Sequence, residues 1–552
     1  MDRDCMVRLT AFLLVAACCL LCQSRERTLH NGIVLPKAWP PGPVALSAEP
    51  PPTPDYLRNP PAVIPIDTGR QLFIDHFLIE STNLRRNFHR PEYYPLNPVL
   101  KAEKRWEFVE NVGKAMVFSD GVFYDPKDNL FKIWYSGVDA TLHATSHDGV
   151  HWEKPALDVR AGTNVVLPGA RDASTVWLDL DEPDAAKRFK LLVARGHMKP
   201  FDLHYSADGI HWGEPVSKSA PWSDRSTFYR DPFLGKWVMS LRDHDGTMND
   251  PSPAPDYLGR MRKFLAVDDL ATGITQWNES IPWVGADRLD GRRIDINARP
   301  QLYQLDAFPY ESVMVGLFTI WQGQFANREK PNQVSVGFTR DGFHWDRSWR
   351  GVFLGHDETP GAWNFSNVQS AGGGCLVVGD RLYFYASGRA GDPNIRTSGS
   401  TTTGLATLRR DGFASMDATG MQGTLTTRPV RYSGKHLFVN VDSLAGELLV
   451  ELLDEKGNAI PGFTKADALP VRADNTLQQV EWKSGADISR FAKKPIRFRF
   501  HLREGSLYSF WVSPDESGAS HGYVAAGGPG FTGSTDTVGK RSYATCCSPR
   551  VW

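Results

Sequence analysis

The sequence predicts an all-β protein: a five-bladed β-propeller followed by a C-terminal β-sandwich. Between about residues 115 and 415 one phrase recurs five times. It is a strand, a short turn, a second strand ending in aromatics, then a Ser/Thr-x-Asp-Gly-type corner that usually ends in Trp. The clearest corners are Ser146-His147-Asp148-Gly149-Val150-His151-Trp152, Ser206-Ala207-Asp208-Gly209-Ile210-His211-Trp212 and Thr339-Arg340-Asp341-Gly342-Phe343-His344-Trp345. A strand-type unit recurring every few tens of residues marks a propeller, whose blades each bring a residue to one shared channel. Beyond about residue 415 the phrase stops. Alternating segments such as Leu448-Leu449-Val450-Glu451-Leu452-Leu453 and Ile496-Arg497-Phe498-Arg499-Phe500 continue, as the strands of a separate sandwich do.

The elements follow in order. Arg3 and Arg8 lie beside a short apolar run over residues 9–21, which reads as an export signal over residues 1–24. The run is too short for a comfortable membrane span. Val15-Ala16-Ala17-Cys18 resembles a bacterial lipobox, so Cys18 is either a lipidated first residue or lost with a signal cleaved near residue 24. Residues 25–65 are laden with proline (Pro40-Pro41, Pro50-Pro51-Pro52, Pro60-Pro61) and read as an extended, weakly ordered lead-in. The propeller is assigned to residues 66–415, entered through an alternating apolar segment, 72–79, suited to a strand.

Blade one turns at Asp125-Pro126-Lys127-Asp128-Asn129 and ends at Trp152; blade two starts near Ser174, turns around Glu182-Pro183-Asp184 and ends at Trp212. Blade three starts at Asp224, turns at Asp231-Pro232 and finishes near Trp277. Blade four starts at Gln301, turns near Phe308-Pro309-Tyr310 and ends at Trp345. Blade five turns at Gly379-Asp380 and ends in the degenerate corner Arg410-Asp411-Gly412-Phe413. The sandwich is assigned to residues 416–513 and a Gly/Ser-rich tail to 514–552. Within that tail Gly528-Pro529-Gly530-Phe531-Thr532-Gly533 fits a dinucleotide fingerprint, but no strand–turn–helix unit surrounds it.

Composition excludes several classes. Net charge is −1, so no basic field exists to hold nucleic acid or an acidic membrane surface. Four of the seven Cys (Cys5, Cys18, Cys19, Cys22) fall in the export segment. Cys375 and the pair Cys546-Cys547 offer neither a disulfide framework nor metal-ligand spacing. His143, His147 and His151 are spaced by four, yet fall across a strand and a turn, which scatters them.

Topology filters the chemistry. Every innermost strand of a propeller starts on one face, so residues at those starts converge, and the hairpins lie opposite. Asp125 and Asp231, each before Pro, are hairpin residues. Asp120 and Asp224 open their strands and should point into the funnel. In blade four the strand-start acid is Asp295, with Glu311 as its rival closer to the turn. Cleaving a glycosidic bond needs one carboxylic acid for the leaving oxygen and one carboxylate to attack or to activate water. Trp106, Trp177 and Trp222 could form stacking platforms for sugar, and Arg225 could bond sugar hydroxyls or hold Asp224 ionised.

The chain resembles the five-bladed propeller glycoside hydrolases of the invertase/levanase and arabinanase type, and more narrowly exported members of that superfamily from planctomycete-like bacteria. The stretches that carry the resemblance are residues 72–79, Phe118-Ser119-Asp120-Gly121-Val122-Phe123-Tyr124-Asp125-Pro126, Asp224-Arg225-Ser226-Thr227-Phe228-Tyr229 and Tyr310-Glu311-Ser312-Val313-Met314-Val315-Gly316. It spans about residues 66–512 and implies a secreted enzyme acting on a poly- or oligosaccharide. Asp120 would be base or nucleophile, Asp224 the sugar-orienting carboxylate, and Glu311 or Asp295 the acid. Three departures stand out: the Asn-Asp-Pro-Asn-Gly motif is absent at Asp120, Arg230-Asp231-Pro232 falls at a hairpin, and no Glu-Cys pair exists. The scheme needs no cofactor, and a channel Ca²⁺ has no ligand pattern behind it. A non-catalytic carbohydrate-binding propeller stays open, as does a glycoside phosphorylase using Arg292, Arg293 and Arg299 near Asp295.

Overall fold

In the computed structural model the described residues are 26–544, without 173, 246–257, 326–328, 392–398 and 421. The export segment, with Cys5, Cys18, Cys19 and Cys22, and the Cys546-Cys547 pair lie outside them. Strands dominate, and no described helix is long and apolar enough to cross a membrane.

Five four-stranded antiparallel sheets follow one another between residues 122 and 409. The first is built from Val122–Asp125, Leu130–Ser136, Ala140–Ser146 and Val165–Pro168. The second has Ser174–Leu178, Phe189–Ala194, Phe201–Ser206 and Ser217–Lys218. The third has Thr227–Asp231, Lys236–Asp245, Gly259–Val267 and Ile281–Gly285. In each, period-2 patterning lets both faces bury large side chains, as Phe131, Ile133, Trp134 and Tyr135 do in the first. The first strands form a closed ring. Ser174–Leu178 lies against Thr227–Asp231, that strand against Gln301–Glu311, that one against Ser366–Val378, and the last against Val122–Asp125, whose preceding turn, Phe118–Asp120, meets Ser174–Leu178 and completes the circle.

The fourth and fifth sheets borrow strands from the chain ends. Gln301–Glu311, Val313–Trp321 and Asn332–Thr339 are joined at the inner edge by Tyr523–Val524. Ser366–Val378, Arg381–Arg389 and Thr401–Arg409 are completed by Glu92–Tyr93. The turn expected near Phe308-Pro309-Tyr310 is instead strand, which runs on to Glu311 and reverses at Ser312. Pro309 is tolerated because this innermost strand leaves most of its channel edge unpaired.

The repeated corners are clasps between neighbours. In the first, Asp148 Oδ1 accepts from the backbone N–H groups of Val150 and His151, while Ser146 Oγ accepts from Gly149 N. The same bonds recur at Asp208 and at Asp341. An aromatic of the preceding sheet then grips the corner. Trp134 Nε1 donates to Gly209 O at 2.7 Å, Trp283 Nε1 to Phe343 O at 2.7 Å and, closing the circle, Tyr385 OH to Gly149 O at 2.5 Å. Gly209 is required twice over: its φ is +79°, and a Cβ would stand 2.6 Å from Trp134.

Two more sheets share a second core. One runs Asp474–Gln479, His436–Asp442, Gly505–Ser513, Ala414–Ala418 and Arg85–Phe88, with Gln71–Leu72 paired to Gly505–Ser513; the other runs Glu447–Leu453, Arg497–Arg503, Gly423–Thr427 and Ile79–Thr82. Phe73, Phe77, Phe498, Phe500 and Phe510 meet between them, each contributing roughly 2–3 kcal/mol by burial. Residues 71–88 therefore belong with these sheets rather than with residues 122–409. The expected strand over residues 72–79 is broken: only its two ends are strand, and residues 73–78 are not. Asp75 Oδ1 accepts from Phe77 N, and the carboxylate pairs with Arg340, which bends the segment.

Both expected loose ends are packed. In the Pro-rich lead-in Leu29, Ile33, Leu35, Tyr56 and Ile64 are buried. In the C-terminal segment, Ala526 O accepts from Tyr124 N of the first sheet and Ala526 N donates to Cys375 O of the fifth. Ser534 reaches Asp181 beyond the second sheet's first strand, Tyr523 stacks edge-on against Phe233 of the third, and Tyr523–Val524 pairs with the fourth. All of these contacts lie at the hairpin end of the ring. The segment closes that end, so it is no tail.

Candidate active site

Each sheet begins with its innermost strand, so the residues just before Val122, Ser174, Thr227, Gln301 and Ser366 share the end opposite the hairpins. Asp120 ends a short 3-10 turn, Phe118–Asp120. It is fully buried, and Arg171 grips it with both terminal nitrogens, at 2.9 and 2.6 Å. Burial pushes its carboxyl up, and Arg171 and Arg225 pull against that without cancelling it.

Neighbouring residues of one loop face opposite ways. Arg171 serves Asp120 of the first sheet, while Asp172 Oδ1 lies 3.0 Å from Arg225 Nη2 of the third. Arg225 holds a left-handed backbone, φ 62°, of the strained kind found at functional sites. Asp224 is paired with Arg242 at 2.8 Å and His197 at 3.3 Å, with Arg225 Nε at 3.8 Å. Burial would raise its pKa, but Arg242, Arg225, a hydrogen bond with Asp172 and His197 outweigh it and hold Asp224 at about 2. The side chain of Asp224 is 13% exposed and that of Asp172 31%, so a ligand can touch both.

A third carboxyl lies deeper. Asp306, midway along Gln301–Glu311, accepts through Oδ2 from Ser370 Oγ at 2.5 Å and Gln304 Nε2 at 2.6 Å, whereas its Oδ1 has no hydrogen-bond partner. Burial pushes this carboxyl up, against Ser370, Ser119, Gln304 and Arg262. Arg262 feels both Asp306 and Asp224. It is fully buried and donates to the carbonyls of Arg225 and Tyr303. Two carboxyls with pKa values pushed in opposite directions thus act on one guanidinium, as where a site holds an acid beside a base.

The ring brings Asp120, Asp224 and Arg225 together, since Arg225 acts electrostatically on both acids. It does not bring in Glu311 or Asp295. Glu311 lies at the hairpin end, wholly buried, bonded to Ser520 Oγ at 2.7 Å, Arg70 N at 3.1 Å and Arg410 at 3.3 Å. Its neighbours Asp411 and Asp536 complete an internal ion cluster. Asp295 is half exposed and held by Arg293, which lowers its pKa, the wrong direction for an acid. Arg293 is committed to Asp295 and Glu358, and Arg292 donates to Asn297 O.

Of the three tryptophans, Trp177 is buried against Phe123 and Trp237 as core, and Trp106 donates to Asn164 within the first sheet's surroundings. Trp222 sits behind the rim, donating to Arg242 O at 2.9 Å. Arg171, Asp172, Arg242, Tyr303 and Asp306 were not singled out from the sequence. Asp172 obeys the same strand-start rule as Asp224, two residues ahead of Ser174. Arg242 and Asp306 become visible only once strand register is known. Among the described residues no group of three or more His, Cys, Asp or Glu is arranged to hold a metal ion.

No protein-family model matches the chain, and no curated protein matches it. Among solved structures it is similar to a thermostable family-43 glycoside hydrolase, at TM-score 0.38 and 12% identity over 56% of this chain and 96% of that one. A family-32 β-fructofuranosidase of Bombyx mori gives TM-score 0.35 and 11% identity over 76% and 95%. An exo-1,5-α-L-arabinanase from a bovine ruminal metagenomic library gives 0.34 and 13% over 57% and 100%. Likenesses this slight carry no argument about chemistry.

Proposed function

We propose that the chain is an exported glycoside hydrolase whose five sheets are the blades of a β-propeller and whose two further sheets form a β-sandwich. The observation behind this reading is the pair Asp224 and Asp306, which both act electrostatically on Arg262 and have pKa values pushed in opposite directions. Asp224, ionised, attacks the anomeric carbon or activates the water that does. Asp306, whose pKa burial raises, gives its proton to the leaving oxygen. Asp172 helps to orient Asp224 through Arg225, which reaches both. Asp120, sealed beneath Arg171, positions the Arg171–Asp172 loop rather than touching sugar. The acid is therefore reassigned from Glu311 or Asp295 to Asp306, and the base or nucleophile from Asp120 to Asp224.

The test is release of new reducing ends from a panel of plant and algal oligosaccharides, with and without inorganic phosphate. A hydrolase yields free sugar in both conditions. Product formed only with phosphate, as a sugar 1-phosphate, turns the assignment into a phosphorylase. Tight binding with no product from any member of the panel leaves a carbohydrate-binding propeller.

A further inference from the structure

Beside the reactive pair, four cations surround one phenol. The Tyr303 ring centroid lies 5.8 Å from the Arg225 guanidinium, 5.2 Å from that of Arg242, 5.5 Å from that of Arg260 and 5.2 Å from the Lys330 ammonium. Three come from the third sheet and its approach, and the fourth from the segment entering the last strand of the fourth. Arg225 is only 8% exposed, Arg242 and Arg260 4% each. Like charges at such spacing, largely out of water, repel by amounts that matter.

Arg225 keeps bonding capacity for a negative group. Arg225 spends Nη2 on Asp172 and holds Nε 3.8 Å from Asp224, while its buried Nη1 has no hydrogen-bond partner. Close by, Arg262 likewise keeps an unbonded Nε. Tyr303 reports the resulting potential. Burial alone would raise its pKa, yet Lys330, Arg225 and Arg242 pull the hydroxyl down to about 8. The carboxylates of Asp172 and Asp224 leave the field at Tyr303 positive.

We propose that the Arg225, Arg242, Arg260 and Lys330 cluster around Tyr303 is a subsite for an oxyanion, such as the sulfate ester or carboxylate of an acidic sugar bound at the reactive rim. It rests on the carbohydrate reading given above. Guanidinium forks match planar carboxylates and tetrahedral sulfates, while the ammonium of Lys330 supplies a point charge at the more exposed side. Adjacency to Asp224 puts the charged substituent on a sugar next to the bond cleaved.

Calorimetric titration of the full chain tests it. The probes are a sulfated galactan oligosaccharide, an oligogalacturonide, their desulfated and carboxyl-reduced counterparts, and inorganic phosphate. Acidic sugars are expected to bind about tenfold or more tighter than their neutral counterparts, the scale of a lost charge-assisted hydrogen bond. Lys330→Ala and Arg260→Gln should each erase that preference, with circular dichroism unchanged. Selectivity for acidic sugars assigns the oxyanion to the substrate. Binding of phosphate alone, abolished by the same substitutions, assigns it to a free anion, and either result sustains the subsite. No anion binding, or anion binding that both substitutions leave intact, overturns it. An acidic sugar bound but never cleaved would keep the subsite and reject the hydrolase; a neutral glycan cleaved without any anion preference would do the reverse.

Discussion

Asp120 illustrates how a residue's place in the fold can be legible while its surroundings are not. Its place just ahead of the strand Val122–Asp125 is legible from Asp-Gly followed by an aromatic strand, and so is that of Asp224. Burial is not legible, because it depends on Arg171, which arrives from 51 residues away. Asp172 and Asp306 were missed for a related reason: an acid inside or just before an apolar run looks like a strand residue until its register is known. The pairing has a stability consequence. Asp120→Asn removes the charge that balances an Arg171 side chain only 1% exposed. It should lower unfolding stability by about 3–5 kcal/mol, the cost of stranding a buried charge. Urea denaturation measures this. An unchanged midpoint would make Asp120 a bystander in the fold.

At the scale of elements, the corner motif was the most readable feature, because Ser/Thr, Asp and Gly are each needed for bonds made within four residues. That the corner is also an inter-sheet clasp could not be read, since Trp134, Trp283 and Tyr385 belong to other repeats. The hairpin acids show the same division. Asp125 was expected to be structural, and it ties two sheets: Lys132 reaches it at 2.8 Å within the first, and Arg188 grips it from the second. Burial opposes its charge, but Arg188 and Lys132 prevail and hold its pKa at about 2. The folded value lies below the ordinary 3.8, so the stabilisation is complete above about pH 4 and is lost as pH falls from there toward 2. Asp125→Asn should therefore flatten the acid limb of the melting-temperature profile in that window, as scanning calorimetry would show.

For the whole molecule, the repeat fixed where the five sheets lie but not how the ends are used. Glu92–Tyr93 completing the fifth sheet, residues 71–88 joining the second core, and residues 520–534 crossing the hairpin end are all long-range pairings of short or Gly-rich segments. Local pattern carries no information about such partners. The C-terminal segment supplies Ser520 to Glu311 and Asp536 to Arg410 inside a cluster where Glu311 and Arg410 have no exposure. Ending the chain after residue 513 should cost at least about 3 kcal/mol and lower the melting temperature. A truncated protein that melts like the full chain would show that the segment merely rests on the ring.

The proposed chemistry rests on Asp224 and Asp306, the two carboxyls that act on Arg262. The most direct test is kcat on a cleaved oligosaccharide for Asp224→Asn and Asp306→Asn beside the unaltered chain, with melting temperatures matched. Both substitutions are expected to reduce kcat about 10²- to 10⁴-fold. Full turnover by either protein would contradict the assignment.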